Sequence, residues 1–79
     1  MTNKEKYDQL FKDCFGVAQE VLNAEFVYQC LPAWDSVGHM GMIASLEDVF
    51  QIMMETEDII EFGSYTIGIE KLEKYGIQI

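Results

Sequence analysis

Pro32-Ala33-Trp34-Asp35-Ser36-Val37-Gly38-His39-Met40 is the stretch on which the reading of this 79-residue chain turns. Pro32 lacks an amide hydrogen and restricts Leu31 before it, so no helix runs through this point. Asp35 then stands before an apolar run, where an N-cap residue belongs. A helix is predicted from about Ser36 to Gln51. Met42, Ile43, Leu46, Val49, Phe50 and Met53 trace a broad face, the expected core side. Val37, Met40 and Ala44 trace a second, narrower stripe with Glu47 and Asp48 beside it. Gly38 and Gly41 each cost such a helix about 1 kcal/mol relative to Ala. Either something approaches the backbone closely there or packing requires them.

Upstream, Thr2 and Glu5 fit a capping box, and Tyr7, Leu10, Phe11 and Cys14 recur at helical spacing. This predicts a helix from Asn3 to Phe15, stopped by Gly16. Val17 to Asp35 follows neither helical nor strand period. A connection of about 19 residues is long for a compact domain and is expected to be functional or packed by its own side chains. It reads as a loop that pins Phe26 and Leu31 into the core, with one helical turn near residues 19–23. Downstream, Thr56 is the expected cap of a short turn at Glu57–Glu61, carrying Ile59, Ile60 and Phe62 and stopped by Gly63. Ser64 is the expected cap of a last helix to about Tyr75, striped by Tyr65, Ile69 and Leu72 and ended by Gly76. No run alternates long enough for a strand. The expectation is one all-α domain over residues 1–79: a small four-helix bundle, three main helices and one short, with a long loop between the first and second.

Charge narrows the function. Fourteen acids against five lysines give −9, yet about half the residues are apolar, too many for a disordered acidic tail. Lys4, Lys6, Lys12, Lys71 and Lys74 lie near the ends, while residues 13–70 hold 11 acids and no Lys or Arg. Such a surface repels phosphate backbones and anionic lipid, and speeds encounter with basic partners. Nucleic acid and stable membrane insertion are therefore not expected; no apolar run approaches the ~18 residues of a span. Two cysteines, Cys14 and Cys30, make no disulfide framework, and the polar start leads to no signal-peptide core. A reducing cytoplasm with core thiols is expected.

Taken alone, Asp35-Ser36 is a helix cap. Its setting adds more: a serine in mid-chain, after a long loop, heading a helix in a small acidic domain, followed by Met42-Ile43, Leu46-Glu47-Asp48 and Phe50. This pattern resembles the acyl carrier proteins, including the peptidyl carrier proteins that share their fold. Their attachment motif is Asp-Ser-Leu, with Leu-Glu and a Phe one to two turns later. The resemblance covers nearly the whole chain.

The resemblance implies a carrier and no enzyme activity. Ser36 matches the serine that a phosphopantetheinyl transferase modifies with 4'-phosphopantetheine from coenzyme A; the arm then carries an acyl group as a thioester. A phosphodiester at a helix N-terminus meets free amides and the positive end of the dipole, and adds roughly one negative charge. Asp35 matches the acid before the serine, and Val37 stands where the family usually has Leu. Val37, Met40 and Ala44 match the exposed contact stripe, flanked by Glu47 and Asp48 for Arg/Lys-rich partners; the plainer reading makes Met40 and Ala44 core periphery. Implied partners are the transferase, an acyl-loading ligase or synthase, and acyl-transfer enzymes with basic docking patches, met by a monomer. Trp34 before the acid and Gly38-His39 after Val37 are more similar to stand-alone carriers of specialised lipid, polysaccharide, secondary-metabolite or aminoacyl pathways than to fatty-acid-synthesis carriers.

His39, the only histidine, lacks partners at metal-ligand spacing. It reads as a surface residue or as a neighbour of the arm's phosphate. No set of Cys, His and Asp suits nucleophilic catalysis. The alternative from another class is an acidic protein-interaction module or nucleic-acid mimic with no prosthetic group.

Overall fold

Helix α1 (Asn3–Phe15) opens on a reciprocal cap in the computed structural model, which describes all of residues 1–79. The Glu5 amide donates to Thr2 Oγ1 at 3.1 Å and the Thr2 amide to Glu5 Oε1 at 3.0 Å. Gly16 closes the helix at φ 64°, a conformation glycine adopts without steric cost. These bounds match the sequence expectation; the stripe needs one correction. Tyr7, Leu10 and Phe11 are buried, but Cys14 faces solvent and Phe15 takes the core position. Neighbouring positions 14 and 15 both lie toward the core by spacing, and the ring has far more apolar surface to bury. Phe15 stacks on Trp34 with centroids 5.0 Å apart. Cys30 is exposed too, so neither cysteine is a core thiol.

The connection from Gly16 to Asp35 is packed by its own side chains. It contains one 3₁₀ turn, Gln19–Val21. Phe26 is buried and Leu31 half-buried against the core. The Tyr28 amide donates to the Gly63 carbonyl and the Tyr65 amide to the Phe26 carbonyl, both at 2.9 Å. This pairing, an isolated antiparallel bridge of Val27 with Ser64, ties the loop to the start of the last helix.

Helix α2 (Ser36–Phe50) buries Met42, Ile43 and Leu46 and half-buries Phe50. Two residues of the expected core face are outside: Val49, and Met53, which is 85% exposed. Gln51 ends the helix at φ 54°, so the helical register no longer applies at 53, and Met54 turns inward instead. Helix α3 (Thr56–Glu61) is capped at Glu55 and not by Thr56, with no side-chain bond at that cap. It ends at Phe62 (φ −72°) without using Gly63. Phe62 is fully buried, Ile59 half-buried and Ile60 exposed. Helix α4 (Tyr65–Lys74) begins as expected at Ser64, whose Oγ accepts from the Ile67 amide at 3.0 Å. Tyr65 and Leu72 are buried and Ile69 half-buried.

The result is a small all-α bundle of four helices, one short, around a single aromatic cluster. Phe11 is at its middle, with ring centroids 4.8 Å from Tyr7, 5.6 Å from Tyr65 and 5.8 Å from Phe26 and Trp34. Each such ring contributes roughly 1.5–3 kcal/mol by burial alone. No helix is long and apolar enough to cross a membrane.

Two buried carboxylates pin the helices. Asp8 on α1 accepts from Lys4, from Gln19 of the loop and from the Tyr65 hydroxyl of α4. Burial pulls its pKa upward, but these hydrogen bonds outweigh that and hold it below the ordinary value. Asp58 on α3 accepts from the Tyr75 hydroxyl and Lys74 and pairs with Lys71. The Tyr75 and Lys74 bonds keep its pKa low as well.

Candidate functional site

The site is built on the first turn of α2. Pro32 bars a helix from entering the segment, and Asp35 supplies the start signal. Asp35 Oδ1 accepts from the Gly38 amide at 2.8 Å, and its carbonyl accepts from the His39 amide. Ser36 is the first helical residue and is exposed. Its hydroxyl makes no hydrogen bond within the chain, and the amides of Ser36 and Val37 have no partner there either. These amides are the orphan donors of the helix start.

The serine stands on a fixed base. Trp34, two residues before it, is fully buried among Phe11, Phe15 and Phe26. A buried indole needs an acceptor for its N–H. Trp34 Nε1 donates to His39 Nδ1 at 2.9 Å. His39 Nε2 in turn bonds the Ile59 carbonyl of α3 at 2.7 Å. An indole only donates and a carbonyl only accepts, so Nδ1 is the bare nitrogen and Nε2 carries the proton. The expectation of a surface histidine is therefore corrected. His39 is a core residue, both of its nitrogens committed inside the chain.

Along α2 the predicted contact stripe lies on the surface. Val37 is 79% and Met40 53% exposed, and Ala44 is exposed one turn on. Asp48 is exposed beyond them. Glu47 is different: it is half-buried, and its Oε2 accepts from the Met54 amide at 2.9 Å. It closes the turn after α2. Asp35, likewise, has one carboxylate oxygen on the cap.

The distribution of cations sharpens this face. Lys4 pairs with Asp8, Lys71 with Asp58 and Glu61, and Lys74 with Asp58 and Glu55. Three of the five lysines thus neutralise acids of α1, of α3 and of the α3 N-cap. No lysine pairs with Asp35, Glu47 or Asp48, so α2 keeps its negative charge.

Sequence reasoning missed a groove. About 340 Å³ in volume, it opens at Ser36 and runs between α2 and α3, lined by Tyr28, His39, Met40, Ile60 and Phe62 among others. Its walls carry no formally charged side chain. Exposed Ile60 was the available signal, an apolar residue adjacent to Ile59 on a helix too short to bury both.

No family model matches the chain, and no curated protein or solved structure matches it.

Proposed function

We propose that this chain is an acyl carrier, with Ser36 as the attachment point of a phosphopantetheine arm. One observation carries the reading: Ser36 is the exposed first residue of α2, its hydroxyl free and two amides beside it without partners. A phosphodiester fits that position. The amides and the helix dipole offset its charge, and the Asp35 carboxylate is turned onto the Gly38 amide. When bound, the arm supplies a thiol that holds an acyl group as a thioester. The chain's own residues hold the serine outward, through buried Trp34 and the Asp35 cap, and present it to other proteins.

The uncompensated acids of α2 support docking by enzymes with basic patches, where charge raises the encounter rate and the Val37–Met40–Ala44 stripe supplies fit. The partners are a phosphopantetheinyl transferase, an acyl-loading ligase or synthase, and acyl-transfer enzymes, met by a monomer in the cytoplasm. Trp34, Gly38 and His39 favour a specialised lipid, polysaccharide or secondary-metabolite pathway.

The test is direct. Purified protein is incubated with coenzyme A and a promiscuous phosphopantetheinyl transferase, then weighed. A mass increase of one arm, absent in Ser36→Ala, is expected. Wild type and Ser36→Ala both remaining unmodified would leave the acidic interaction module as the better reading. Under that reading Ser36→Ala keeps partner binding and charge reversal at Asp48 abolishes it.

A further inference from the structure

Helix α3 has six residues, fewer than an isolated helix needs to persist. Ile60 faces outward and the N-cap has no side-chain bond. Besides Ile59 and Phe62, which pack in the core, α3 is held by polar ties on two sides. On the α4 side, Asp58 takes bonds from Tyr75 and Lys74 and pairs with Lys71, which also bonds Glu61. On the α2 side, His39 Nε2–H donates to the Ile59 carbonyl. That carbonyl lies in the last turn of α3, where no intrahelical donor remains for it.

We infer that His39 is a positioning residue, a latch that fixes α3 against the Ser36 end of α2 and so sets the opening of the groove between them. The imidazole suits this role through its neighbours. Trp34 holds Nδ1 and thereby fixes the tautomer that presents Nε2–H to α3. The ring lies nearly parallel to the indole, 13° between planes. Its other neighbours meet it edge-on, Phe62 at 6.1 Å and Tyr28 at 5.5 Å. It therefore cannot swing to another acceptor without disturbing the core. His39 is also one turn below Ser36 on the same helix and lines the same groove. A single side chain thus joins the serine's anchor, the serine's helix and the opposite wall. Local stability in a bundle varies with such ties, and the His39–Ile59 bond is the one hydrogen bond between α3 and α2. Releasing the latch lets α3 swing away and widens the groove at Ser36. The latch follows from geometry alone; its bearing on cargo rests on the carrier reading.

The test is native-state hydrogen exchange on wild type, His39→Leu and His39→Gln. Glutamine can accept from the indole and donate to the carbonyl, so it is the conservative variant. In His39→Leu the α3 amides are expected to exchange at least tenfold faster, while α1 and α4 change much less; His39→Gln restores most of the protection. Equal acceleration in every helix, or none in α3, overturns the inference. Should His39→Leu fail to fold, the wild-type ¹⁵N spectrum decides. A slowly exchanging Nε2–H with unprotonated Nδ1 supports the latch, and the opposite tautomer or rapid exchange refutes it. Arm loading is followed in parallel. Wild type that accepts no arm refutes the carrier reading and leaves the exchange result standing.

Discussion

The carbonyl oxygen of Ala33 lies in the space that a side chain on Gly38 would occupy. The tight passage expected near Gly38 is thus made by the chain itself, where the loop folds down onto the first turn of α2. Gly41, one turn further, has nothing within reach of an added Cβ. Both glycines lower helix propensity by about 1 kcal/mol, but only one is needed. Gly38→Ala is expected to destabilise by roughly 1–3 kcal/mol, because the loop or the helix must shift. Gly41→Ala is expected to stabilise by up to ~1 kcal/mol. Chemical denaturation of both variants checks the pair; equal effects of the same sign would contradict this account.

Adjacent acids at the end of α2 have separate tasks. Glu47 accepts from the Met54 amide and is half-buried, whereas the Asp48 carboxylate is exposed. Glu47→Ala leaves that amide unsatisfied and is expected to cost about 1–3 kcal/mol. Asp48→Ala is expected to stay within about 0.5 kcal/mol, as surface changes do. In a docking assay with a basic partner enzyme, as the carrier proposal implies, the order is expected to reverse: Asp48→Ala slows association most at low salt. Stopped-flow rates and melting curves on the two variants separate these roles.

How far the sequence carried the fold can be judged at particular residues. Thr2, Gly16, Asp35 and Ser64 set helix ends through local hydrogen bonds and backbone freedom, and such signals are readable from neighbours alone. Cys14 against Phe15, and Met53 against Met54, were misread because periodicity gives a face and not a depth. The choice between adjacent apolar residues depends on what packs opposite. His39 was misread for a related reason. Its partners, Trp34 and Ile59, are separated from it by five and twenty residues, and nothing local announces the second. Among the site residues, Ser36 and the stripe were legible as a motif on a helix. The groove was not, since α3 supplies its far wall.

Acid should weaken the fold through Asp8 and Asp58. Both carboxyls are held below their ordinary pKa in the folded chain, Asp8 by Lys4, Tyr65 and Gln19 against the pull of burial, Asp58 by Tyr75 and Lys74. Unfolded aspartate titrates near ~3.9. A folded value depressed below this gives stabilisation that is complete above the unfolded pKa and is lost as pH falls through the folded one. Unfolding free energy is therefore expected to drop steeply below about pH 4, with a shallower drop in Asp58→Asn. A stability that is flat or rising from pH 5 to pH 3 would remove these two residues as the acid-sensitive ties.

Salt should act in the opposite sense to its usual effect on ion-paired proteins. The chain carries −9, and the lysines that form pairs do so with acids of α1, of α3 and of the α3 N-cap. Two of those acids, Asp8 and Asp58, are buried, so their pairs are screened less than surface charges are. What salt weakens most is the mutual repulsion of exposed acids, among them Asp35 and Asp48. The molecule measures 29 × 27 × 20 Å. Screening reaches about 30 Å at 0.01 M ionic strength and about 10 Å at 0.1 M, so repulsion across the whole molecule is removed within that interval. The melting temperature is expected to rise by several degrees between these concentrations of sodium chloride and little beyond them, since ~1 kcal/mol moves a domain of this size by roughly 4–8 °C. Asp35→Asn is unsuited as a control because it alters the α2 cap; Asp48→Asn leaves caps intact and should reduce the rise. A melting temperature that falls with salt would mean that the lysine pairs outweigh the repulsion, and the acidic face of α2 would then carry little strain.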